Sequence, residues 1–330
     1  MRILDFKIKR YDINLAKTLT VGTHHLNSRS GAIISITNPD GLVGYGEVAP
    51  LPGLHQETLS QAIAQLKSLK KIISSPELYP SVNFGIELAY FNLSRQIEAP
   101  FVNTPKQPVA INALIIPNEN IITEVQNLIE QNFSTIKIKV GRQPLSDDIT
   151  TIQQIQKLTD GKVKLRLDAN RNFSLSDVNT LTDAIDLNSI EYIEEPLKNI
   201  ADLNAVKMPV ALDETLAECD PWNINNIAIV DALILKPAIL GGLKRSAMLI
   251  NWARQNNKKI CLSSTFESSL TLEALAAFAI KHNISTTAHG LDTAKWFAQD
   301  ILTPPLTIIN GAINISQQPP IPDMDLLHDL

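Results

Sequence analysis

The feature that most constrains the fold is a series of short apolar segments between residues 135 and 236, each of which ends in a charged side chain. In chain order the segments read TIKIKVG, KLRLDAN, EYIEEP, VALDET and LILKP. Their length and their content of Val, Ile and Leu are typical of buried parallel strands. A protein core rejects Lys, Asp or Glu unless the charge is paired or bound to a metal ion. Charges at the ends of buried strands therefore predict a functional site.

Strands and helices alternate along the chain after about residue 105. Strands are predicted at 109–116, 135–140, 163–168, 191–195, 210–213, 232–236, 259–264 and 285–288, and helical patterns lie between them at 121–131, 147–158, 175–185 and 244–255. Eight parallel strands separated by helices predict an α/β fold of the (β/α)8 barrel type over residues 106–302. An open doubly wound sheet is the alternative, but no Gly-rich phosphate-binding motif follows an early strand.

Residues 1–105 follow a different pattern. Two or three alternating strands, with a turn at Asn38-Pro39-Asp40-Gly41, precede helical patterns at 57–73 and 81–97. This order predicts a small α+β domain. The polar segment 18–28 is expected to be a mobile loop, and the Pro-rich tail, 303–330, is expected to leave the barrel and return to the N-terminal domain.

Composition and charge narrow the classes of function. The chain of 330 residues has a formal net charge of −5 and no long run of Lys or Arg, so neither nucleic-acid binding nor attachment to an anionic membrane surface is expected. Cys219 and Cys261 are too far apart for a disulfide framework or a cysteine metal site, which fits a reducing cytoplasm. No segment has the apolar length of a membrane span or the pattern of a signal peptide. We expect a cytoplasmic protein that acts on a small molecule, and the sequence leaves its oligomeric state open.

Charged residues at the strand ends are expected to lie together, because the carboxyl ends of all barrel strands meet at one face. These residues are Lys137, Lys139, Asp168, Glu194, Asp213 and Lys236. Three carboxylates from consecutive strands, without His or Cys, suit a hard divalent cation, Mg2+ first and Mn2+ second. Helix capping or pairing with a lysine would explain any single carboxylate, but explains three in register less well.

Lys137 and Lys139 are two residues apart on a strand, so both side chains point to the same side. Repulsion and partial burial are expected to lower the pKa of one of them, which then can act as a base. Lys236 comes from the opposite wall, and two lysines that flank a cation-bound substrate suit proton abstraction next to a carboxylate. The alternative is that the lysines pair with Asp168 and Glu194 to hold a structural core.

The motifs KIK, LDAN, IEEP, LDET and LKP, in this order and spacing, resemble the muconate-lactonizing enzyme subgroup of the enolase superfamily. The segment GYGEVAPLPG, residues 44–53, resembles the capping domain of that subgroup, so the resemblance spans nearly the whole chain. It implies a modified (β/α)7β barrel with an α+β capping domain, formed by residues 1–105 and completed by the tail.

The resemblance also implies a shared first step of the reaction. A divalent cation, held by Asp168, Glu194 and Asp213, would bind a substrate carboxylate and stabilise the enediolate that forms when a base removes the α-proton. Glu195 and Glu214, which follow two of the ligands in sequence, would support them.

Within the subgroup, the LRLDAN segment, SSTFESSL at 263–270 and HGLDT at 289–293 resemble dehydratases that act on a cyclohexadiene carboxylate in menaquinone biosynthesis. The resemblance implies that Lys139 takes the α-proton and returns it to the departing hydroxide, and that Lys236 faces the delocalised anion as a cation. Lys137 would depress the pKa of Lys139. Candidate substrate contacts are Arg166, Asn170, Ser263, Thr265 and Gly290.

Other functions on the same barrel stay open. The segment PAILGGL after Lys236 also resembles racemases of the subgroup, and an N-acylamino acid racemase would use Lys139 and Lys236 as opposed bases. Asp292 stands alone where dipeptide epimerases carry Asp-x-Asp, and a sugar-acid dehydratase would use a late His/Asp pair instead of two lysines. A non-catalytic metabolite-binding barrel is the third alternative, since fold alone does not establish function.

Several residues are expected to have no part in the chemistry. The histidines at 24, 25, 55, 282 and 328 are expected on the surface or in loops, and Trp222, Trp252 and Trp296 are expected to pack helices against the barrel. Loops around 18–28 and 51–54 are expected to close over the site and to control which substrate enters.

Overall fold

A computed structural model describes residues 3–69, 77–97, 107–218 and 230–330. The predictions for Cys219 and Trp222 lie outside the described residues. The strands are β1 (Asp5–Val21), β2 (His24–Thr37), β3 (Val43–Val48), β4 (Pro108–Ala110), β5 (Ala113–Ile115), β6 (Thr135–Lys139), β7 (Lys164–Asp168), β8 (Ile190–Glu194), β9 (Val210–Leu212), β10 (Val230–Leu235), β11 (Lys259–Leu262), β12 (Ala312–Asn314) and β13 (His328–Asp329). The α-helices are α1 (Leu59–Leu69), α2 (Pro80–Ser94), α3 (Ile121–Glu130), α4 (Leu145–Thr159), α5 (Leu175–Ala184), α6 (Glu214–Glu218), α7 (Pro237–Leu240), α8 (Leu243–Gln255) and α9 (Ser269–Lys281).

Seven parallel strands form the central sheet, in the order β11-β10-β9-β8-β7-β6-β5. Their Val, Ile and Leu side chains, apart from Leu114, are buried, as expected of parallel strands that are covered by helices. Two parallel bridges, Ile111 with His289 and Ser263 with Gly290, connect the two edges of the sheet. The predicted fold class, a (β/α)8-type barrel in its modified form with an α+β capping domain, is confirmed.

The strands next to the point of closure differ from the prediction. The segment predicted as one strand at 109–116 is divided, because β4 pairs with β12 from the tail whereas β5 pairs with β6 inside the barrel. The last barrel strand, predicted at 285–288, is replaced by the short bridged segment at His289 and Gly290.

The cap, formed by β1, β2, β3, β13, α1 and α2, is a four-stranded antiparallel sheet in the order β13-β1-β2-β3 with two helices. Val82, Ala89 and Leu93 of α2 pack on the sheet of the cap. Phe84 and Leu88 of the same helix belong to the barrel core. The helix α2 therefore lies between the two cores.

The GYGE motif of β3 allows α2 to approach the sheet closely. A Cβ atom on Gly44 would lie 2.1 Å from the carbonyl oxygen of Ala89, and one on Gly46 would lie 1.9 Å from the carbonyl oxygen of Gly85. Both distances are shorter than atoms in van der Waals contact allow, so only glycine fits at these two positions.

The segment 18–28 is a β-hairpin, so the prediction of an irregular loop is wrong. Residues 18–21 belong to β1 and residues 24–28 to β2, and Leu19 pairs with Leu26. The turn itself is reduced to Gly22 and Thr23. Leu19 is buried, which anchors a segment that otherwise looks polar in sequence.

The C-terminal tail lies against both parts of the molecule. Its β12 pairs with β4, and its β13 pairs with β1 through Lys9 and Asp329. The division of the chain at about residue 105 stays a proposal, because residues 98–106 lie outside the described ranges. None of the helices described is long and apolar enough to cross a membrane.

Candidate active site

The carboxyl ends of the barrel strands bring the six predicted charged residues together. Lys139 pairs in register with Asp168, and Asp168 with Glu194. The ammonium nitrogen of Lys137 lies 2.8 Å from Asp168 Oδ2 and 2.7 Å from Glu194 Oε1, and that of Lys139 lies 2.5 Å from Asp168 Oδ2. Lys236 pairs with Asp213. We call Lys137, Lys139, Asp168, Glu194, Asp213 and Lys236 the carboxylate–lysine cluster.

The three carboxylates of the cluster are almost completely buried, and their pKa values differ. Burial and the charge of Asp168 raise the pKa of Glu194 to about 7, with Lys137 acting in the opposite direction. Burial also raises the pKa of Asp213, although Lys236 opposes the shift. In Asp168 the effect of burial is outweighed by Lys137 and Lys139, which hold its pKa well below the usual range.

The three lysines of the cluster also differ in the direction of their pKa shifts. Burial lowers the pKa of Lys139, and the charge of Lys137 lowers it further, although Asp168 opposes both effects. Burial also acts to lower the pKa of Lys137, but Asp168 and Glu194 outweigh it and leave the pKa raised. The same competition, with Asp213 as the main opposing charge, leaves the pKa of Lys236 raised. Lys139 is thus the lysine of the three that loses its proton most readily.

The donor set suits a divalent cation. Asp168, Glu194 and Asp213 offer only oxygen, and Glu194 Oε2 is buried without a hydrogen-bond partner in the described part of the chain. Across the described ranges, no three Asp, Glu, His or Cys side chains are grouped so as to hold an ion as they stand, and Glu194 and Asp213 each pair with a lysine. The raised pKa of Glu194 and its unpartnered oxygen mark a place where added positive charge would be favourable. The residues present therefore fit such an ion.

Both predicted supporting residues, Glu195 and Glu214, form hydrogen bonds beside the cluster. Glu195 Oε1 accepts hydrogen bonds from the backbone N–H groups of Asp213, at 2.8 Å, and Thr215, at 2.9 Å. Glu214 Oε1 accepts a bond from Asn170 Nδ2, and Asn170 Oδ1 accepts one of 2.8 Å from Lys139 Nζ. Glu195 thus fixes the backbone at Asp213, and Asn170 connects Glu214 to the lysine.

A cavity of about 730 Å3 opens above the cluster, between the barrel and the cap. Four of the predicted substrate contacts, Asn170, Ser263, Thr265 and Gly290, line it. A Cβ atom on Gly290 would lie 2.9 Å from Ser263 Oγ, so the glycine keeps this part of the wall open. The Thr265 hydroxyl donates to Glu267, which leaves its oxygen lone pairs as acceptors.

The prediction that Arg166 contacts substrate needs correction. Arg166 is 1% exposed and does not line the cavity. Its guanidinium donates to Glu191 Oε2 at 2.7 Å, to Asn112 Oδ1 at 2.9 Å and to the carbonyl oxygen of Ala288 at 2.6 Å. These hydrogen bonds from Nε and Nη1 lie inside the barrel, so Arg166 connects neighbouring strands beneath the cluster.

Comparisons with known proteins agree with this geometry. The family described as enolase C-terminal domain-like matches residues 120–320, and the family described as MenC, N-terminal domain matches residues 3–93. An o-succinylbenzoate synthase from Yersinia enterocolitica is 30% identical over 86% of this chain and 88% of its own length. The chain belongs to the o-succinylbenzoate synthase family of the enolase superfamily. Protein PHYLLO, chloroplastic, from Arabidopsis thaliana is 26% identical over 94% of this chain, and the chain spans only 22% of that longer protein.

Solved structures of other proteins share the fold of this chain. The L-Ala-D/L-Glu epimerase from Bacillus subtilis, solved as a substrate-liganded complex, matches with a TM-score of 0.83 and 21% identity over 98% of both chains. A member of the enolase superfamily from Roseovarius nubinhibens, solved with magnesium, has a TM-score of 0.82 and 18% identity, and covers 99% of this chain and 97% of its own. At these identities the similarity concerns the fold.

Some residues of the cavity were missed by the sequence analysis. Trp296, expected to pack helices, lines the cavity and contacts Phe266 edge to face, with ring centroids 5.6 Å apart. Lys17 of the cap lies over the same indole, 3.9 Å from the ring centroid. His55 lies in the loop after β3, in agreement with the prediction, and its Nδ1 accepts a hydrogen bond from the backbone N–H of Leu51, which lines the cavity. The segment 51–54 was the only sequence signal for these contacts, which depend on how the cap docks.

Proposed function

We propose that this protein is an o-succinylbenzoate synthase. It removes water from 2-succinyl-6-hydroxy-2,4-cyclohexadiene-1-carboxylate and forms 2-succinylbenzoate, a step of menaquinone biosynthesis. The observation that carries the proposal is the position of Lys139, a partly buried lysine with a lowered pKa that lies beside Asp168 and lines the cavity. Family membership supports the choice of this substrate among the carboxylates that such a site accepts.

Lys139 is the proposed base. In its neutral form it takes the proton from the ring carbon that bears the carboxylate. The electron pair of that C–H bond first moves toward the carboxylate and gives a delocalised anion. It then forms the new ring double bond as the C–O bond to the neighbouring hydroxyl breaks. The ammonium of Lys139 then gives its proton to the departing hydroxide, so that water leaves and Lys139 is neutral again. A single residue serves both steps, which requires removal of the proton and the hydroxyl from the same face of the ring.

Lys236 is proposed to stay charged and to face the anion. It follows β10, which is separated from β6 and Lys139 by three strands, so the two lysines approach the substrate from different sides of the barrel. Its raised pKa, caused mainly by Asp213 against the effect of burial, keeps it protonated at neutral pH. Lys137 contributes by lowering the pKa of Lys139.

The cation site and the substrate contacts complete the proposal. A divalent cation, Mg2+ first and Mn2+ second, would supply positive charge for the substrate carboxylate and for the negative charge that develops there. Asp168, Glu194 and Asp213 would hold it, supported by Glu195 and Glu214. The proposed substrate contacts are Asn170, Ser263, Thr265 and Gly290, which line the cavity.

The test is an assay of the purified protein with Mg2+ and the cyclohexadiene acid. We expect formation of 2-succinylbenzoate, and we expect Lys139→Ala to reduce kcat by at least about a hundredfold. Lys162→Ala is the matched control, because Lys162 is an exposed lysine with a 3.6 Å pair to Asp160 far from the cavity. A Lys139→Ala variant that dehydrates the acid at the wild-type rate would overturn the mechanism. Absence of turnover by the wild-type protein would favour a non-catalytic barrel.

N-acylamino acid racemisation is the second candidate, because lysines from two sides of the barrel also suit proton exchange at both faces of one carbon. The proposal is tested against it with an N-succinyl amino acid in deuterated water. Deuterium incorporation from both faces, together with no dehydration of the cyclohexadiene acid, would replace the synthase with a racemase.

A further inference from the structure

Arg29 of β2 is a buried cation between the cap and the barrel. It is 2% exposed, and in the described part of the chain no acidic side chain forms an ion pair with it. Its donors reach backbone carbonyl oxygens of two segments that are distant in sequence. Nη2 lies 2.7 Å from the oxygen of Ala49 and Nη1 lies 3.3 Å from that of Pro50, while Nε lies 3.0 Å from the oxygen of Phe266.

Both of these segments lead into the walls of the cavity. Ala49 and Pro50 precede Leu51 and Leu54, which line the cavity from the cap. Phe266 lines it from the loop after β11. Arg29 therefore fixes the distance between one wall that belongs to the cap and one wall that belongs to the barrel.

The hydrogen bond from Arg29 to Phe266 also involves a residue with an unusual backbone conformation. Its φ angle is +58°, a left-handed conformation that is costly for a bulky residue and persists only where the surroundings impose it. Arg29 binds the carbonyl group of this residue, and its Nη2 also reaches the Thr265 carbonyl oxygen at 3.4 Å. The strained conformation turns the Phe266 ring toward Trp296 and into the wall of the cavity.

We propose that Arg29 is a positioning residue that assembles the substrate-binding wall when the cap docks on the barrel. It acts through the carbonyl groups of Ala49, Pro50, Thr265 and Phe266 and does not touch the reacting atoms. The inference rests on the proposed function for its kinetic test. Its loss should weaken substrate binding more than it slows the chemistry at Lys139.

The kinetic test compares Arg29→Met with Arg95→Met. Arg95 is an equally buried arginine between cap and barrel, but it pairs with Glu273 at 2.6 Å and donates to Asn92 and Ser316, and none of these three residues lines the cavity. Both variants should lose thermal stability. We expect KM for the cyclohexadiene acid to rise about tenfold in Arg29→Met with kcat within about threefold, and KM in Arg95→Met to stay within about twofold of the wild type. Equal KM values in the two variants would reduce Arg29 to a structural residue and overturn the proposal.

Amide hydrogen exchange tests the proposal without an activity assay, and it uses Arg29→Lys, a milder change than Arg29→Met. Lysine carries a compact ammonium that cannot span four carbonyl groups, so Arg29→Lys should loosen the two walls without emptying the site. We expect faster amide exchange in the peptide 263–268 and in 49–55 for Arg29→Lys, and wild-type exchange there for Arg95→Lys. Unchanged exchange in both peptides would contradict the proposal. Absence of turnover by the wild-type protein would instead reject the proposed function and leave the exchange result to decide the role of Arg29.

Discussion

Lys139 is held by two acceptors of different charge, and this arrangement determines how it can act. Its ammonium donates to Asp168 Oδ2, at 2.5 Å, and to Asn170 Oδ1, at 2.8 Å. The two bonds fix the direction of the nitrogen, whereas burial and Lys137 lower its pKa. A general base has to be correctly placed and able to lose its proton; the two hydrogen bonds serve the first requirement, and the lowered pKa favours the second.

The role of Lys137 can be measured as a shift of the pH–rate profile. Because the charge of Lys137 lowers the pKa of Lys139, Lys137→Met should raise that pKa. The rise of kcat with pH should therefore move to higher pH. The measurement is kcat at saturating Mg2+ and substrate across the pH range in which the protein stays folded. Lys137→Arg, which keeps the charge, is the control, and a midpoint that moves to lower pH in Lys137→Met would contradict the assignment.

At the scale of single residues, the sequence was sufficient to predict that the charged residues of the carboxylate–lysine cluster lie together, but not to predict the surroundings of Arg166. Lys, Asp and Glu at strand ends stand out because a core rejects them without partners. Arg166 and Asp168 are two residues apart, so the alternation of a strand places both inside the barrel. The same spacing puts Arg166 about 6–7 Å deeper, and only the structure reveals that Glu191, Asn112 and Ala288 surround it there.

The bridged segment at His289 and Gly290 takes the place of a full strand in closing the barrel. The backbone N–H of His289 donates to the oxygen of Ala110, and that of Gly290 donates to the oxygen of Leu262. The imidazole adds two bonds, because Nδ1 accepts from the backbone N–H of Leu262 and Nε2 donates to the oxygen of Ile284, both at 3.0 Å. The closure thus depends on a neutral histidine that is fully buried.

This closure predicts a loss of stability in mild acid. Burial, with a contribution from Arg166, lowers the pKa of His289 to about 3 from an ordinary value of 6.5. The unfolded chain therefore takes up a proton below about pH 6.5 that the folded protein does not, so stability is present above that pH and falls toward pH 3. We expect a loss of about 2 kcal/mol in the free energy of unfolding between pH 7 and pH 5 from this residue.

Urea denaturation at pH 7 and pH 5 measures this loss. His289→Gln has no titrating group, so the difference in the free energy of unfolding between the two pH values should be smaller in this variant than in the wild type by about 2 kcal/mol. An equal difference in both proteins would show that other groups cause the acid sensitivity.

Elements with strong periodicity were predicted to within a few residues, as the observed bounds of α3, α5 and α8 show. The hairpin at 18–28 and the bridged segment at His289 and Gly290 were not predicted correctly. In both cases pairing with a distant part of the chain determines the structure, since Leu19 is covered by Leu51 and Trp296 and His289 is bridged to Ile111. Local hydrophobic patterns contain no information about such partners.

At the scale of the whole molecule, the cap and the barrel share one helix and a buried ion pair. The helix α2 contributes to both cores, and close to its end Arg95 donates to both carboxylate oxygens of Glu273 in the barrel helix α9, at 2.6 and 2.8 Å. The backbone N–H of Ser316 in the tail also donates to Glu273. This carboxylate therefore joins the cap, the barrel and the tail in one place.

Removal of one partner of this pair should destabilise the whole molecule. Both side chains are almost completely buried, so Arg95→Met leaves the charge of Glu273 without its cation, and Glu273→Leu does the reverse. Each change should cost about 3–5 kcal/mol in the free energy of unfolding, measured by urea denaturation at pH 7. The double variant should cost clearly less than the sum of the two, because it buries no unpaired charge. Strictly additive losses would mean that the two residues stabilise their own domains independently, and that the ion pair does not couple the cap to the barrel.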